Sequence, residues 1–268
     1  MTVKERQFRR KIQEVAIAAA RAAGRIIIAK RVNPRVDYKG AANPVTEVDL
    51  LCERTIARMI EDAFPGHRIV GEEGGDRGKD SDFTWWIDPL DGTTNFAHGY
   101  PHYCVSIALE QREEIILGVV YDPLRDELFS AGRGEGAFLN GSEISVSPVS
   151  DPARSLLATG FPYDLKKRPY ALAMLGGFLA TVQGVRRDGS AALNLAYVAA
   201  GRLDGFWELG LNPWDTAAGA ILAEEAGGRV SDFSGHRYRI ARKDVIAATP
   251  ALHSFMVETI GSVPVRRS

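Results

Sequence analysis

Two aspartates are the first residues that invite a chemical reading. In Trp85-Trp86-Ile87-Asp88-Pro89-Leu90-Asp91-Gly92-Thr93-Thr94-Asn95-Phe96 an apolar, strand-like run ends in two acids three positions apart, which packing alone would not choose. Pro89 holds Asp88 extended, and Gly92 permits a sharp turn. Both carboxylates and the Leu90 carbonyl could therefore converge on one point, and that mixture of oxygen donors suits Mg²⁺ or Mn²⁺ rather than zinc. Gly92-Thr93-Thr94-Asn95 then reads as the start of a short helix, where backbone N–H groups and the positive end of the dipole attract phosphate. The plainer alternative is that Asp88 and Asp91 cap a turn, as aspartates beside glycine and proline often do.

Two further segments place acids in comparable settings. Ile69-Val70-Gly71-Glu72-Glu73 sets paired glutamates after a short apolar strand, and Asn212-Pro213-Trp214-Asp215-Thr216 sets an aspartate at the start of an apolar helix. Taken singly, Glu73 reads as a solvated residue and Asp215 as a helix N-cap. None of the five histidines has metal-ligand spacing, and His98 reads as structural or as support for a ligand rather than as a ligand.

The elements that must position these acids are legible as a mixed α/β pattern. Helical spacing runs from Val3 to Arg31 and from Thr46 to Phe64, with Thr46 the expected N-cap of the second helix. Between them Tyr38-Lys39-Gly40-Ala41-Ala42-Asn43-Pro44 reads as a mobile loop. Strands are predicted at Thr84 to Ile87, Tyr103 to Leu109, Ile115 to Tyr121 and Glu127 to Ala131, in a mostly antiparallel sheet. After Pro148 the pattern alternates: strand Leu156 to Thr159, helices Pro169 to Val182 and Ala191 to Ala200, strand Gly205 to Glu208, helix Pro213 to Ala226 and strand Val245 to Ala248. The expected division is an N-terminal lobe over 1–148 and a C-terminal lobe over 149–268, with the site in the cleft between them.

Composition narrows the function classes. At 45% hydrophobic and 25% charged residues the chain has an ordinary globular composition, which sets aside disordered, fibrous and membrane classes. Lysine and arginine number 33 against 34 acids, so no global field favours nucleic acid or an anionic membrane, and an anionic substrate must be captured locally. Cys52 and Cys104 make no disulfide framework, and the N-terminus lacks the clean apolar segment of a signal peptide. The expectation is a cytoplasmic protein with no membrane span and no nucleic-acid partner.

The acid segments, taken in order, resemble the signatures of the inositol monophosphatase family, especially its bacterial members. They are Trp86-Ile87-Asp88-Pro89-Leu90-Asp91-Gly92-Thr93-Thr94-Asn95-Phe96 and Pro213-Trp214-Asp215-Thr216-Ala217-Ala218-Gly219, the latter followed by Glu225-Ala226-Gly227-Gly228. Gly71-Glu72-Glu73, Val120-Tyr121-Asp122-Pro123, Gly134 to Gly141 and Gly189-Ser190-Ala191-Ala192 also fit, so that the resemblance runs from about Lys39 to Gly228.

The resemblance implies a layered α/β/α/β/α sandwich of the inositol monophosphatase/fructose-1,6-bisphosphatase type, and a homodimer. It implies two or three Mg²⁺ per site, with Mn²⁺ a possible substitute, and inhibition by lithium. Glu72, Asp88 and the Leu90 carbonyl would hold the first ion; Asp88, Asp91 and Asp215 would hold the second; a third, weaker ion would lie near Glu72. Thr93, paired with Asp49, and Glu72 would orient and activate water for in-line hydrolysis without a phosphoenzyme. The N–H groups of Gly92 and Thr93 would grip phosphate, with Lys39 nearby and with Asp91 and Asp215 facing the substrate. Glu208 would accept polyol hydroxyls opposite Gly189, Ser190 and Ala191. The expected substrate is a small phosphorylated polyol, myo-inositol monophosphate first. Fructose 1,6-bisphosphate, histidinol phosphate and 3′-phosphonucleotides are alternatives, Arg186 and Arg187 being candidates to contact a second phosphate. An alternative of a different class is a regulatory or scaffold protein that retains the fold.

Overall fold

The computed structural model describes residues 3–32, 34–38, 44–78 and 80–264. Lys39 and the rest of the loop from 39 to 43 lie outside the described residues.

The chain opens with helix α1 (Val3–Lys30), whose buried stripe of Ile12, Ala16, Ala19, Ala20, Ala23 and Ile27 follows helical spacing. A two-stranded ribbon, β1 (Val36–Tyr38) and β2 (Pro44–Thr46), leads into α2 (Glu47–Ala63). Thr46 caps α2 by accepting from Val48 N at 3.1 Å, while the Asp49 carboxylate returns to Thr46 N at 2.9 Å, a closed capping box. Strands β3 (Arg68–Gly71), β4 (Gly75–Arg77) and β5 (Phe83–Asp91) follow, then the short helix α3 (Thr93–Ala97). The meander β6 (Cys104–Gln111), β7 (Glu114–Asp122), β8 (Glu127–Gly132), β9 (Gly136–Leu139) and β10 (Ser142–Ile144) completes an eight-stranded sheet of order β10-β9-β8-β7-β6-β5-β3-β4. Its pairs are antiparallel except β3 with β5.

The later part of the chain alternates. It runs β11 (Leu156–Thr159), α4 (Arg168–Leu179), β12 (Gly184–Arg186), α5 (Ala191–Ala199), β13 (Gly205–Leu209), α6 (Pro213–Glu225), β14 (Arg229–Ser231), β15 (Asp244–Ala248) and α7 (Pro250–Gly261). The five strands form a second sheet of order β12-β11-β13-β15-β14, parallel over the first three. Helix α4 stops at Leu179, short of the predicted Val182, because Gln183 N is taken by Ser155 O at 3.1 Å and draws the chain into β12.

Four apolar clusters mark four interfaces between layers. α1 and α2 pack on one face of the large sheet, through Ile56, Trp85 and Ile107. α5 and α6 cover its other face, through Ala196, Ala218 and Phe129. The same two helices present Leu195 and Ala220 to Phe206 and Ala247 of the small sheet. α4 and α7 close the far side through Met174, Phe178 and Met256 against Trp207. The order is therefore α/β/α/β/α, as expected. The middle helices sit close to the large sheet: at Gly118 on β7 a Cβ would lie 2.6 Å from Ala218 O and 2.5 Å from Ile221 Cγ2.

Candidate active site

One cavity gathers the acids that the sequence set apart. Glu72, Asp88, Leu90, Asp91, Gly92 and Thr93 line one side of it, and Gly189, Ala191, Glu208 and Asp215 line the other. Asp49 and Ser190 stand one hydrogen bond behind, against Thr93 and Asp91 respectively.

The large sheet positions the first group. Trp85, Ile87 and Leu90 are fully buried and anchor β5, while the ladder to β6 shifts register between Asp88 and Asp91. That break lets the strand end turn both acids to the cavity instead of alternating them. Asp88 Oδ1 accepts Leu90 N at 3.0 Å. Glu72 is carried by the turn after β3, and its N–H is fixed to Ile87 O at 3.1 Å.

Gly92 opens α3 with φ +97°, and a Cβ there would stand 2.9 Å from His102 O. Glycine meets both demands. Thr93 Oγ then lies 2.9 Å from Asp49 Oδ1 and 2.9 Å from the Leu90 carbonyl, so its proton is held between two acceptors. Asn95 Nδ2 donates to His102 O and to Asp188 O, both at 2.7 Å, tying α3 to the turn before α5.

The other wall comes from three element ends. Ser190, the N-cap of α5, donates to Asp91 Oδ2 at 2.6 Å, and Ala192 N donates to the same oxygen at 2.7 Å. Asp215 is the third residue of α6; its Oδ2 accepts Asn212 N at 2.7 Å in a capping box. The N-cap role read for Asp215 therefore belongs to Asn212. Glu208 stands near the end of β13.

Burial and like charge act together on these acids. Asp88 is pushed well above the ordinary carboxylate range, first by burial and then by Glu72, Asp91 and Asp215. Asp215 is pushed well above it too, by burial and then by Asp91, Glu72 and Glu208, against the opposing Asn212 N–H. Burial carries Asp91 up to about 6 despite the Ser190 and Ala192 hydrogen bonds. Glu208 is pushed up to about 8 by burial and then by Asp91, with Arg187 opposing. Burial also raises Asp49.

A divalent cation fits this donor set. The cavity offers hard oxygens, mutually repelling when ionised, which a cation relieves. Cys104, the nearest sulfur, stays a thiol because burial pushes it well above its ordinary value. Among the described residues no three acidic, histidine or cysteine side chains are grouped as a ready coordination sphere.

Phe161, Tyr163 and Leu211 also line the cavity and carry no motif of their own. Arg187, considered above only for a second phosphate, lines it as well, with its guanidinium 5.7 Å from the centre of the Phe161 ring. Arg186 is exposed and does not line it. The usable signal is topological: β11 and β13 are parallel neighbours, so the segments after Thr159 and Leu209 emerge at the same sheet edge as Glu208.

Comparison with known proteins agrees over nearly the whole chain. Nus factor SuhB of Pseudomonas aeruginosa is 44% identical over 257 residues, covering 92% of this chain and 94% of that protein. A crystal structure of extragenic suppressor protein SuhB from Bartonella henselae superposes with a TM-score of 0.90 at 40% identity, covering 94% of this chain and 98% of that one. The structure of inositol monophosphatase from Anabaena (Nostoc) sp. PCC 7120 superposes with a TM-score of 0.86 at 41% identity, covering 94% and 95%. The sequence model of the inositol monophosphatase family matches residues 9–264. With the matched span taking in both acid signatures and all five layers, the chain belongs to the inositol monophosphatase family.

Proposed function

We propose that the protein hydrolyses a small polyol monophosphate, with myo-inositol monophosphate as the leading substrate, by in-line attack of water at a site holding two or three Mg²⁺. The observation that carries this reading is one cavity lined by Glu72, Asp88, Asp91 and Asp215 on one hand and Glu208 on the other. Glu72, Asp88 and the Leu90 carbonyl would hold one ion, and Asp88, Asp91 and Asp215 another. When bound, such ions lower the pKa of water and offset charge on the departing oxygen. Glu72 and Thr93 orient the attacking water, and Asp49 accepts the Thr93 hydroxyl so that its lone pairs face the cavity. The N–H groups of Gly92 and Thr93 hold the phosphate. Glu208, opposite Gly189, Ser190 and Ala191, recognises ring hydroxyls.

In this reading the lobes are 1–148 and 149–268 with the site between them, the molecule is a homodimer, and it works in the cytoplasm. Among the described residues no helix is long and apolar enough to cross a membrane. The deciding experiment is a panel of inositol phosphate, fructose 1,6-bisphosphate, histidinol phosphate and a 3′-phosphonucleotide assayed with Mg²⁺. The highest kcat/KM is expected for inositol phosphate, and a higher value for any other member overturns the assignment.

A second reading, a regulatory role on the same scaffold, is favoured by the name of the curated relative, a Nus factor. It predicts that cells carrying Asp88→Asn grow like the parent while cells lacking the protein do not. The retained acids favour chemistry.

A further inference from the structure

Helix α2 carries a second buried acid one turn beyond Asp49. Glu53 is 3% exposed, yet it is not among the residues lining the cavity. Its Oε2 accepts Glu73 N at 2.7 Å and its Oε1 accepts Gly74 N at 2.6 Å. These successive amides belong to the turn between β3 and β4, which presents Glu72. Arg77 approaches Glu53 Oε1 to 3.9 Å and Glu61 to 3.7 Å. Gly71 and Gly74 both face the carboxylate so closely that neither has room for a Cβ.

Filling this space does not require a charge, and burying one is costly unless it is hydrogen-bonded. Two charge-assisted bonds to adjacent amides make a bidentate clamp, which fixes a turn's position more tightly than apolar contact could. Asp49 and Glu53 are four residues apart and share one face of α2. That face grips Thr93 with one acid and the Glu72 turn with the other.

We propose that Glu53 is a positioning residue: by holding the Glu73 and Gly74 amides from behind, it sets where the Glu72 carboxylate stands in the cavity. This rests on the reading that Glu72 holds a divalent cation. Second carboxylates and hydrogen bonds that orient a ligand typically matter ten- to a hundredfold for metal affinity.

The test uses Mn²⁺ alone, titrated into the intact, substrate-free protein and followed by electron paramagnetic resonance. Glu53→Gln keeps the volume but turns an NH₂ group against one of the two amides. Gly74→Ala disturbs the clamp from the turn side. Both are expected to weaken the tightest Mn²⁺ site by about ten- to a hundredfold. The Glu53→Gln/Glu72→Gln pair should bind no more weakly than Glu72→Gln, and with saturating Mg²⁺ Glu53→Gln should recover kcat at unchanged KM. Wild-type Mn²⁺ affinity in Glu53→Gln and Gly74→Ala, with Glu72→Gln weakened, overturns the positioning role alone. Wild-type affinity in Glu72→Gln overturns the ligand reading and the proposal with it. If Glu53→Gln does not fold, Gly74→Ala decides.

Discussion

Thr93 Oγ stands 2.9 Å from Asp49 Oδ1, a contact that joins the first residue of α3 to the first turn of α2 across 44 positions of sequence. Asp49 thus serves two ends: it closes the α2 capping box and it aims the threonine hydroxyl.

The contact leads to a double-mutant cycle. Thr93→Ala and Asp49→Asn should each lower kcat by about a hundredfold or more, the lower end for proton-transfer groups. The double variant should be little worse than either. Asp49→Asn keeps an oxygen for the Thr46 N–H and removes a carboxylate that burial disfavours, so stability should change by less than about 1 kcal/mol. Steady-state kinetics with urea unfolding measures both, and additive kinetic losses would separate the two side chains.

Asp88→Asn should reduce kcat by orders of magnitude while making the metal-free protein more stable at neutral pH. The sign follows from the raised folded-state pKa of Asp88. The fold favours the protonated form, so wild-type stability is full below the unfolded value of about 4 and is lost as pH rises through the folded value. Asparagine does not titrate. Urea unfolding in EDTA should therefore show the variant gaining on wild type as pH rises above about 4, and parallel pH curves would remove the claim.

Turnover should vanish in EDTA and return with Mg²⁺, since the cavity holds oxygen donors and no reactive thiolate. Li⁺ should inhibit, with K⁺ as the ionic-strength control. Undiminished turnover after thorough removal of divalent ions would rule out the mechanism.

Glu208→Ala should chiefly raise KM for inositol monophosphate. Losing one or two hydrogen bonds to the ring hydroxyls, about 1–3 kcal/mol, corresponds to roughly five- to a hundredfold in kcat/KM. A small aryl phosphate without those hydroxyls should be hydrolysed almost as before. Equal losses on both substrates would assign Glu208 to support of the acids instead.

Gly92→Ala should lower both stability and activity. It forces an alanine to φ +97° and brings its Cβ to 2.9 Å from His102 O, a strain of about 1–3 kcal/mol. A variant with wild-type melting temperature and kcat would show that α3 can shift to accommodate it.

The sequence made the acids and most elements legible for different reasons. Asp88, Asp91 and Asp215 stood out because each breaks an apolar run at an element end. Helix limits such as Thr46 for α2 followed from capping chemistry that is local. β4 and β10 are three-residue second arms of tight hairpins with β3 and β9, too short to show a strand's alternation, and β12 exists through pairing with β11 across a long connection that no window of sequence displays. α7 was not among the expected elements, although Thr249-Pro250, an N-cap before an N1 proline, marks its start. Phe161 and Tyr163 reach the cavity only because β11 lies beside β13. Glu53 carries no motif of its own; its meaning depends on a turn twenty residues away.

Gly118 is remote from the cavity in sequence, yet it acts as a shim. Asp91 rides on the large sheet and Asp215 on the first turn of α6, and the gap between sheet and helix is set where Gly118 meets Ala218 and Ile221. A single methyl group at 118 would tilt or lift α6 and widen the span between two acids that never touch it. Divergence among relatives at such a spacer position would retune the cavity while leaving every residue that lines it unchanged.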